Sequence, residues 1–573
     1  MPLPPAGRDR SRFPSARGLR PRAAALALAF LCMPLAGARD TASVSAGPQP
    51  NGPAEAATAA SMRLISQEQY FNSLGYVFGP DISVAAHFAP FRRTDGLLAG
   101  GSASAGVTIA QMQEFQRTAR ALAEQVVSPV NRAYLVPCTP RDDTRADKDC
   151  ARRFLLPVGR LLFRRPLDPA TADAVVARSV EAANQLQDFY GGLAVALEGL
   201  LMSPQALFIA DRAEPDPARP GHARLDAWSL ASRLSFFLWN AAPDEELLHA
   251  AEEGRLDSEA GLAREVDRML ASPRLETGMR AFFDDMLRFD DLAVLTKDTG
   301  IYPNFGAETI ADAREQTLRT LVDYLLVRKG DYRGLFTSSD TFVSPSLAVI
   351  YGVAAPPGWT AYTSPPGSPR TGLLTQVSFL AAHAHPGRSS PTLRGKALRE
   401  LLLCQTVPRP PPNVDFSLLE DADSRLRTAR ERLDVHRTNP VCAGCHKITD
   451  PIGLAFEHFD GAGQYRATER GAPIDASGTL DGRNFDDLAG LSQALHDHPQ
   501  LSACLVKRVY GWAAGTPVRP ADKPMLDWLG QQFAADGYRL PDLLRTVALS
   551  SAFATVREAE PAETAGATAG GKP

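Results

Sequence analysis

Neither sign of charge dominates this 573-residue chain: 61 Lys and Arg face 65 Asp and Glu, a formal net charge of −4. Nucleic-acid binders need a cationic surface, so that class is disfavoured. Beyond the N-terminal region no apolar run approaches the ~20 residues that cross a bilayer, so no transmembrane segment is expected in the mature chain. No G-x-S-x-G, H-E-x-x-H or Walker sequence occurs, which argues against the hydrolase, zinc-protease and phosphate-loop chemistries those patterns carry. No fixed-period repeat is present, so a solenoid is not expected. Strand signals are weak. What is there is an ordinary globular composition, 44% hydrophobic and 22% charged. At ~150 residues per domain the length suggests about four domains.

The N-terminus carries Arg8, Arg10, Arg12, Arg17, Arg20 and Arg22, then an apolar run from Ala23 to Leu35, then Ala36-Gly37-Ala38. A basic flank, a short apolar core and a small-x-small ending read as a secretory signal peptide over 1–38. Cys32 follows bulky Phe30 and Leu31, where a lipoprotein cysteine wants small neighbours. The protein is therefore expected to be exported, periplasmic or extracellular. Residues 39–60 and 556–573 are rich in Ala, Gly, Pro, Ser and Thr and read as a disordered leader and tail.

Loss of Cys32 leaves six cysteines in an oxidising compartment. Cys442 and Cys445 belong to a motif described below. The other four allow three pairings. Cys138 and Cys150 flank one polar loop, which favours pairing them and leaves Cys404 with Cys504.

Helix signals recur along the chain. Asp168-Pro169 and Ser203-Pro204 each supply a cap followed by proline. Residues 225–240, behind Asp226, and 307–328 carry helical apolar spacing, as does 261–289 with a break near Ser272-Pro273. Residues 470–486 suggest a small hairpin around Ser477-Gly478. Pro-rich breaks fall at 355–369 and 408–413. The acidic stretch Asp475, Asp481, Asn484, Asp486 and Asp487 lacks EF-hand spacing and reads as a solvated turn.

The informative motif is Cys442-Ala443-Gly444-Cys445-His446, the C-x-x-C-H signature of c-type haem attachment. From composition alone, roughly 0.0015 occurrences are expected. Two intervening residues let both thiols reach the two haem vinyl groups, and the following histidine gives the iron an axial nitrogen. A small disulfide or a zinc site would be the other uses of these side chains, but a second C-x-x-C is absent. A backbone carbonyl near Asp450-Pro451 is expected to accept the other ring N–H of His446. Leu454, Phe456 and Phe459 are expected to supply an apolar wall. Met525, after Pro524 in a polar loop, is a candidate distal ligand. His383, His385, His436, His458, His496 and His498 are the alternatives, and His383 and His385, two apart, would share a face on a strand or loop. An open sixth position would favour ligand binding or peroxide chemistry.

The chain resembles exported, cytochrome-c-like proteins assembled from the modules called domains of unknown function 1587, 1595, 1592, 1588 and 1585. The resemblance rests on Arg63-Leu64 through Phe78-Gly79, Arg164-Arg165-Pro166-Leu167, Ser235-Phe236-Phe237-Leu238-Trp239, Arg370-Thr371-Gly372, Leu403-Cys404, the 442–466 segment and Tyr510-Gly511-Trp512. It implies a mainly α, multi-module helical protein with a C-terminal cytochrome-c-like haem module. We accordingly divide the chain into helical modules over 61–135, 136–222 and 223–365, a haem module over 366–480 and a last helical module over 481–555. The expected function is one-electron transfer by one covalent haem c, with a redox partner protein. A non-redox binding or scaffold protein with a structural C-x-x-C-H, and a haem enzyme with an open iron site, are the alternatives.

Overall fold

Residues 52–53, 57–217, 219–408, 426–437 and 440–557 are described by the computed structural model of the chain. The signal peptide, Cys32, most of the leader and tail, and nearly all of the break at 408–413 lie outside them. The described residues fall in one contact unit, Pro50–Pro573.

The fold is mainly helical, because apolar residues recur at helical spacing behind strong caps. Asp168 accepts from Thr171 N at 2.9 Å and opens the helix Pro169–Leu186. Asp226 accepts from Ser229 N at 2.6 Å and opens Ala227–Trp239. That helix is buried along its whole length from Ser229 onward, so it is a core element rather than a surface helix. The expected break at Ser272-Pro273 separates Glu259–Leu270 from Arg274–Met286. Helix Ala307–Leu321 runs on into one π turn, Val322–Val327. Ser203-Pro204 opens only a single turn, Pro204–Leu207. No helix among the described residues is long and apolar enough to cross a membrane.

Two buried clusters dominate. One joins the helices Gln67–Phe78, Ile109–Val126, Lys148–Phe163 and Phe189–Leu201 through residues such as Leu74, Leu122, Phe154 and Leu197. Inside it the Cys138–Cys150 disulfide closes its loop. The second cluster runs from Leu97 to Val556 and takes in Leu234, Leu380, Leu398, Phe456, Leu505 and Leu544. A second disulfide, Cys404–Cys504, crosses it with a separation of 100 residues.

Three local expectations are corrected. The end of the leader is ordered: Ala57 and Thr58 are buried, and Thr58–Ala59 pairs in parallel with Thr555–Arg557. The start of the tail is ordered by the same pairing, with Val556 buried. This strand also pairs with Ala223–Leu225, which pairs with Ala213–Pro215, giving a four-stranded sheet. Buried Arg233 braces it, donating to Thr58 Oγ1 and Phe553 O and pairing with Asp211 at 2.7 Å. The hairpin turns at Asp481-Gly482, not at Ser477-Gly478: Gly478–Leu480 pairs with Arg483–Phe485. Both turn residues have positive φ, 47° and 90°, which Asp-Gly adopts readily in a two-residue turn. The acidic side chains nearby hold separate structural bonds. Asp475 pairs with Arg430, Asp481 with Arg399, and Asp487 caps the helix Leu488–His496.

Candidate functional site

The C-x-x-C-H residues lie on one helix, Pro440–Gly453. Cys442 and Cys445 are three apart and both are half-buried free thiols. Cys445 Sγ donates to the carbonyl of Pro408 at 3.0 Å. His446 is one residue on, and Asp450 is one helical turn beyond it, so the two side chains share a face. His446 Nδ1 donates to Asp450 Oδ2 at 2.7 Å. Asp450 is fully buried, and its second oxygen accepts from Thr392 Oγ1 at 2.8 Å and Thr449 Oγ1 at 3.2 Å. The partner of the ring N–H is thus the Asp450 carboxylate, where a backbone carbonyl was expected. The helix satisfies its own carbonyls, and i to i+4 spacing delivers the side chain instead. Donation from Nδ1 leaves the imidazole lone pair on Nε2.

This helix is clamped in place. Arg399, mostly buried, donates to Ile448 O at 2.6 Å and pairs with Asp481 at 2.9 Å. The helix Pro391–Ala397 packs against it at backbone contact distance through Gly395 and Gly453.

Cys445, His446 and Thr449 open onto a cavity of about 480 Å³, within the ~300–1,000 Å³ range of ligand sites. Its wall includes Pro391, Leu393, Val407, Pro408 and Leu433, and Leu393 leaves 37% of its surface exposed there. Arg388, Lys396 and Arg432 bring cations to the lining, of which Arg432 is paired with Glu469 and Lys396 with Glu400. Leu454, Phe456 and Phe459, expected as the apolar wall, are buried in the core instead. The wall comes from 391–408 and 429–433, segments that hydrophobic spacing around the motif does not point to. Among the described residues no three His, Cys, Asp or Glu side chains gather as a metal cage.

The distal candidates separate clearly. Met525 does not reach the cavity. It is fully buried in the first turn of the helix Lys523–Ala535, packed in the main core. Its thioether is a core filler because the supposed loop is helical. His458 donates from Nδ1 to Arg466 O and stacks on Tyr465. His496 is bonded to Asp497, and His498 to Asp481. The side chain of His436 lies outside the described residues. His383 closes the helix Val377–Ala382. His383 meets Phe379 edge-on at 5.0 Å, and burial among Arg288, Arg394 and Lys297 lowers its pKa to about 3. His385 lines the cavity.

A second cavity, of about 270 Å³, was not foreseen. It is walled by Phe88, Phe91, Phe115, Phe236 and Trp512 and holds Glu68, Asp284 and Asp285. Glu68 opens onto this cavity, and desolvation there, reinforced by the Asp284 charge, raises it to about 7. Its parts come from 63–115, 209–240, 281–285 and 512, so only folding assembles it.

Compared with known protein families, residues 150–211 match Protein of unknown function (DUF1595), 225–353 match DUF1592, 370–469 match DUF1588 and 481–553 match DUF1585. No curated protein and no solved structure matches the chain. The thiol pair, His446, Asp450 and the 480 Å³ cavity all fall in the third matched segment.

Proposed function

Because the chain belongs to the proteins built from the DUF1595, DUF1592, DUF1588 and DUF1585 domains in that order, whose descriptions assign no role, we propose its function from the site: an exported c-type haem protein that transfers single electrons to or from a redox partner. The observation that carries the proposal is the His446–Asp450 pair on the helix of two free thiols, beside an apolar-walled cavity.

Cys445 and His446 line the cavity, and Cys442 stands one turn before them on the same helix. Cys442 and Cys445 would hold the group through thioethers, and His446 Nε2 would bind its iron. Haem bound there supplies a reversible one-electron couple. The Asp450 carboxylate orients the imidazole and raises its basicity, which favours the oxidised state. Pro391, Leu393, Val407 and Leu433 give the site an apolar wall. Thioether attachment needs an extracytoplasmic compartment, and the two disulfides agree with one.

The test is to express the full chain with the periplasmic haem-attachment machinery and record its reduced spectrum after denaturation. A haem band that stays with the polypeptide is the expected result. Correctly exported protein without that band overturns the proposal, leaving the scaffold reading.

A further inference from the structure

Independently of the haem reading, we infer that the second cavity, of about 270 Å³, is a binding site for a protonated amine carried on an apolar or aromatic body, with Glu68 as its counter-charge. Three acids line the cavity, and two of them are already paired. Asp285 accepts from Arg93 at 2.6 Å and from the backbone N–H groups of Leu98 and Ala99 at 2.7 and 3.0 Å. Asp284 pairs with Arg314. Glu68 is bonded to the side-chain amide of Asn240, and no Lys or Arg among the described residues pairs with it. A carboxylate in the first turn of a helix is normally held ionised. In the first turn of Gln67–Phe78, desolvation and the Asp284 charge outweigh that preference and raise Glu68 to about 7. Asn240, 1% exposed, lines the same cavity, and its Oδ1 accepts no hydrogen bond from the described residues. The cavity thus offers one carboxyl without a counter-ion and one unused buried acceptor, and both are satisfied by N–H donors that carry positive charge.

The wall sets the nature of the body. Phe88, Phe91 and Trp512 stand in the lining. Trp512 donates its indole N–H to Phe237 O at 3.1 Å, so what it gives the cavity is its ring. Phe88 meets Phe115 edge-on at 4.7 Å, which pins that part of the wall. Aromatic faces attract an ammonium group through their quadrupole and take up an apolar body by contact. A metal ion suits the site less well. The three acids do not gather as a cage, whereas hard divalent cations take about six or more oxygen ligands. The charges that act on Glu68 are Asp284, Arg314 and Asp285, and Arg314 is taken up by Asp284. The basic residue in the lining is Arg63, and the charge that acts most strongly on it is Asp211. A ligand cation would therefore be the direct counter-ion of Glu68.

The experiment titrates 2-phenylethylamine into the full chain by calorimetry, with 2-phenylethanol as the neutral isostere. The amine should bind at least about tenfold more tightly than the alcohol, the scale of one charged hydrogen-bonded partner. Its affinity should rise between about pH 6 and pH 8, because the cation selects ionised Glu68 while the amine itself stays protonated. Binding near neutral pH should release a proton, read from the heats in two buffers of different ionisation enthalpy. Glu68→Gln should lose both the preference for the amine and the proton release while keeping its fold. Phe91→Leu, which keeps an apolar wall, should bind the amine about threefold more weakly. That variant and the native pH dependence decide the matter if Glu68→Gln fails to fold. Equal binding of amine and alcohol, unchanged amine binding by folded Glu68→Gln, or no detectable binding of the amine overturns the inference. Displacement of the amine by calcium chloride at matched ionic strength overturns it too, since the acids would then serve a metal ion. Each of these outcomes is separate from whether haem is attached, so the two readings stand or fall apart.

Discussion

A Cβ placed on Gly453 would lie 1.8 Å from the carbonyl oxygen of Pro391, so the C-x-x-C-H helix and the cavity-wall helix touch through their backbones. The same holds at Gly395, whose Cβ would meet Thr449 O at 2.0 Å. Neither obstacle is a flexible side chain. Gly453→Ala and Gly395→Ala should each destabilise the fold by about 1–3 kcal/mol, the usual cost of overpacking. Each should also pry Asp450 away from Thr392. Chemical denaturation of both variants, with Gly444→Ala as a comparison, measures this. Gly444 has open space where its Cβ would go, so Ala there should be tolerated.

Asp450→Asn tests the orienting carboxylate. The amide keeps the shape but removes the anion that accepts from His446 Nδ1. With haem loaded, the midpoint potential should rise, because a weaker imidazole donor stabilises the oxidised metal less. Redox titration against native protein reads the shift. An unchanged potential would sever the link between Asp450 and the iron ligand.

The two disulfides should differ in worth. Cys404–Cys504 spans 100 residues and Cys138–Cys150 spans 12. On the chain-entropy account their removal costs about 4.7 and about 3 kcal/mol. The double Ser variants, followed by urea unfolding, should rank in that order.

The acid limb of the stability curve should depend on His383. Its folded pKa is lowered to about 3 from 6.5, so below pH 6.5 the unfolded chain takes a proton that the native state refuses. Stability present above 6.5 is therefore lost as pH falls toward 3, by up to about 1.4 kcal/mol per pH unit. His383→Asn should flatten this limb in pH-dependent unfolding.

Glu68 acts with the opposite sign. Its folded pKa is raised from 4.5 to about 7, so its contribution is complete below 4.5 and is lost as pH rises to 7. Glu68→Gln should match native protein below 4.5 and exceed it in stability above 7. Between 4.5 and 6.5 the slopes of these two groups oppose each other.

Much of the helical framework could be read directly from residues, since caps and breaks act locally. Asp226, Asp168 and Ser272-Pro273 do their work within one turn of where they stand. The Asp481-Gly482 turn carries an equally local signal, but the weak strand pattern of 470–486 does not fix a register, and the turn lies four residues beyond the expected Ser477-Gly478. His446 was legible from its motif. Its carboxylate partner was within reach too, once 440–453 is known to be one helix, because Asp450 then falls one turn away on the same face.

By itself, then, the order of amino acids determined the helices, the thiol pair and the imidazole beside it, for these depend on neighbours a few positions apart. Tertiary structure alone decided which distant groups meet. It sent Met525 into the core, brought His385 to the cavity of His446, and closed a sheet from strands near residues 58, 213, 223 and 555. The physical reason is that burial and long-range pairing are settled by the packing of whole helices. A side chain's own neighbours carry no record of what folding will set across from it.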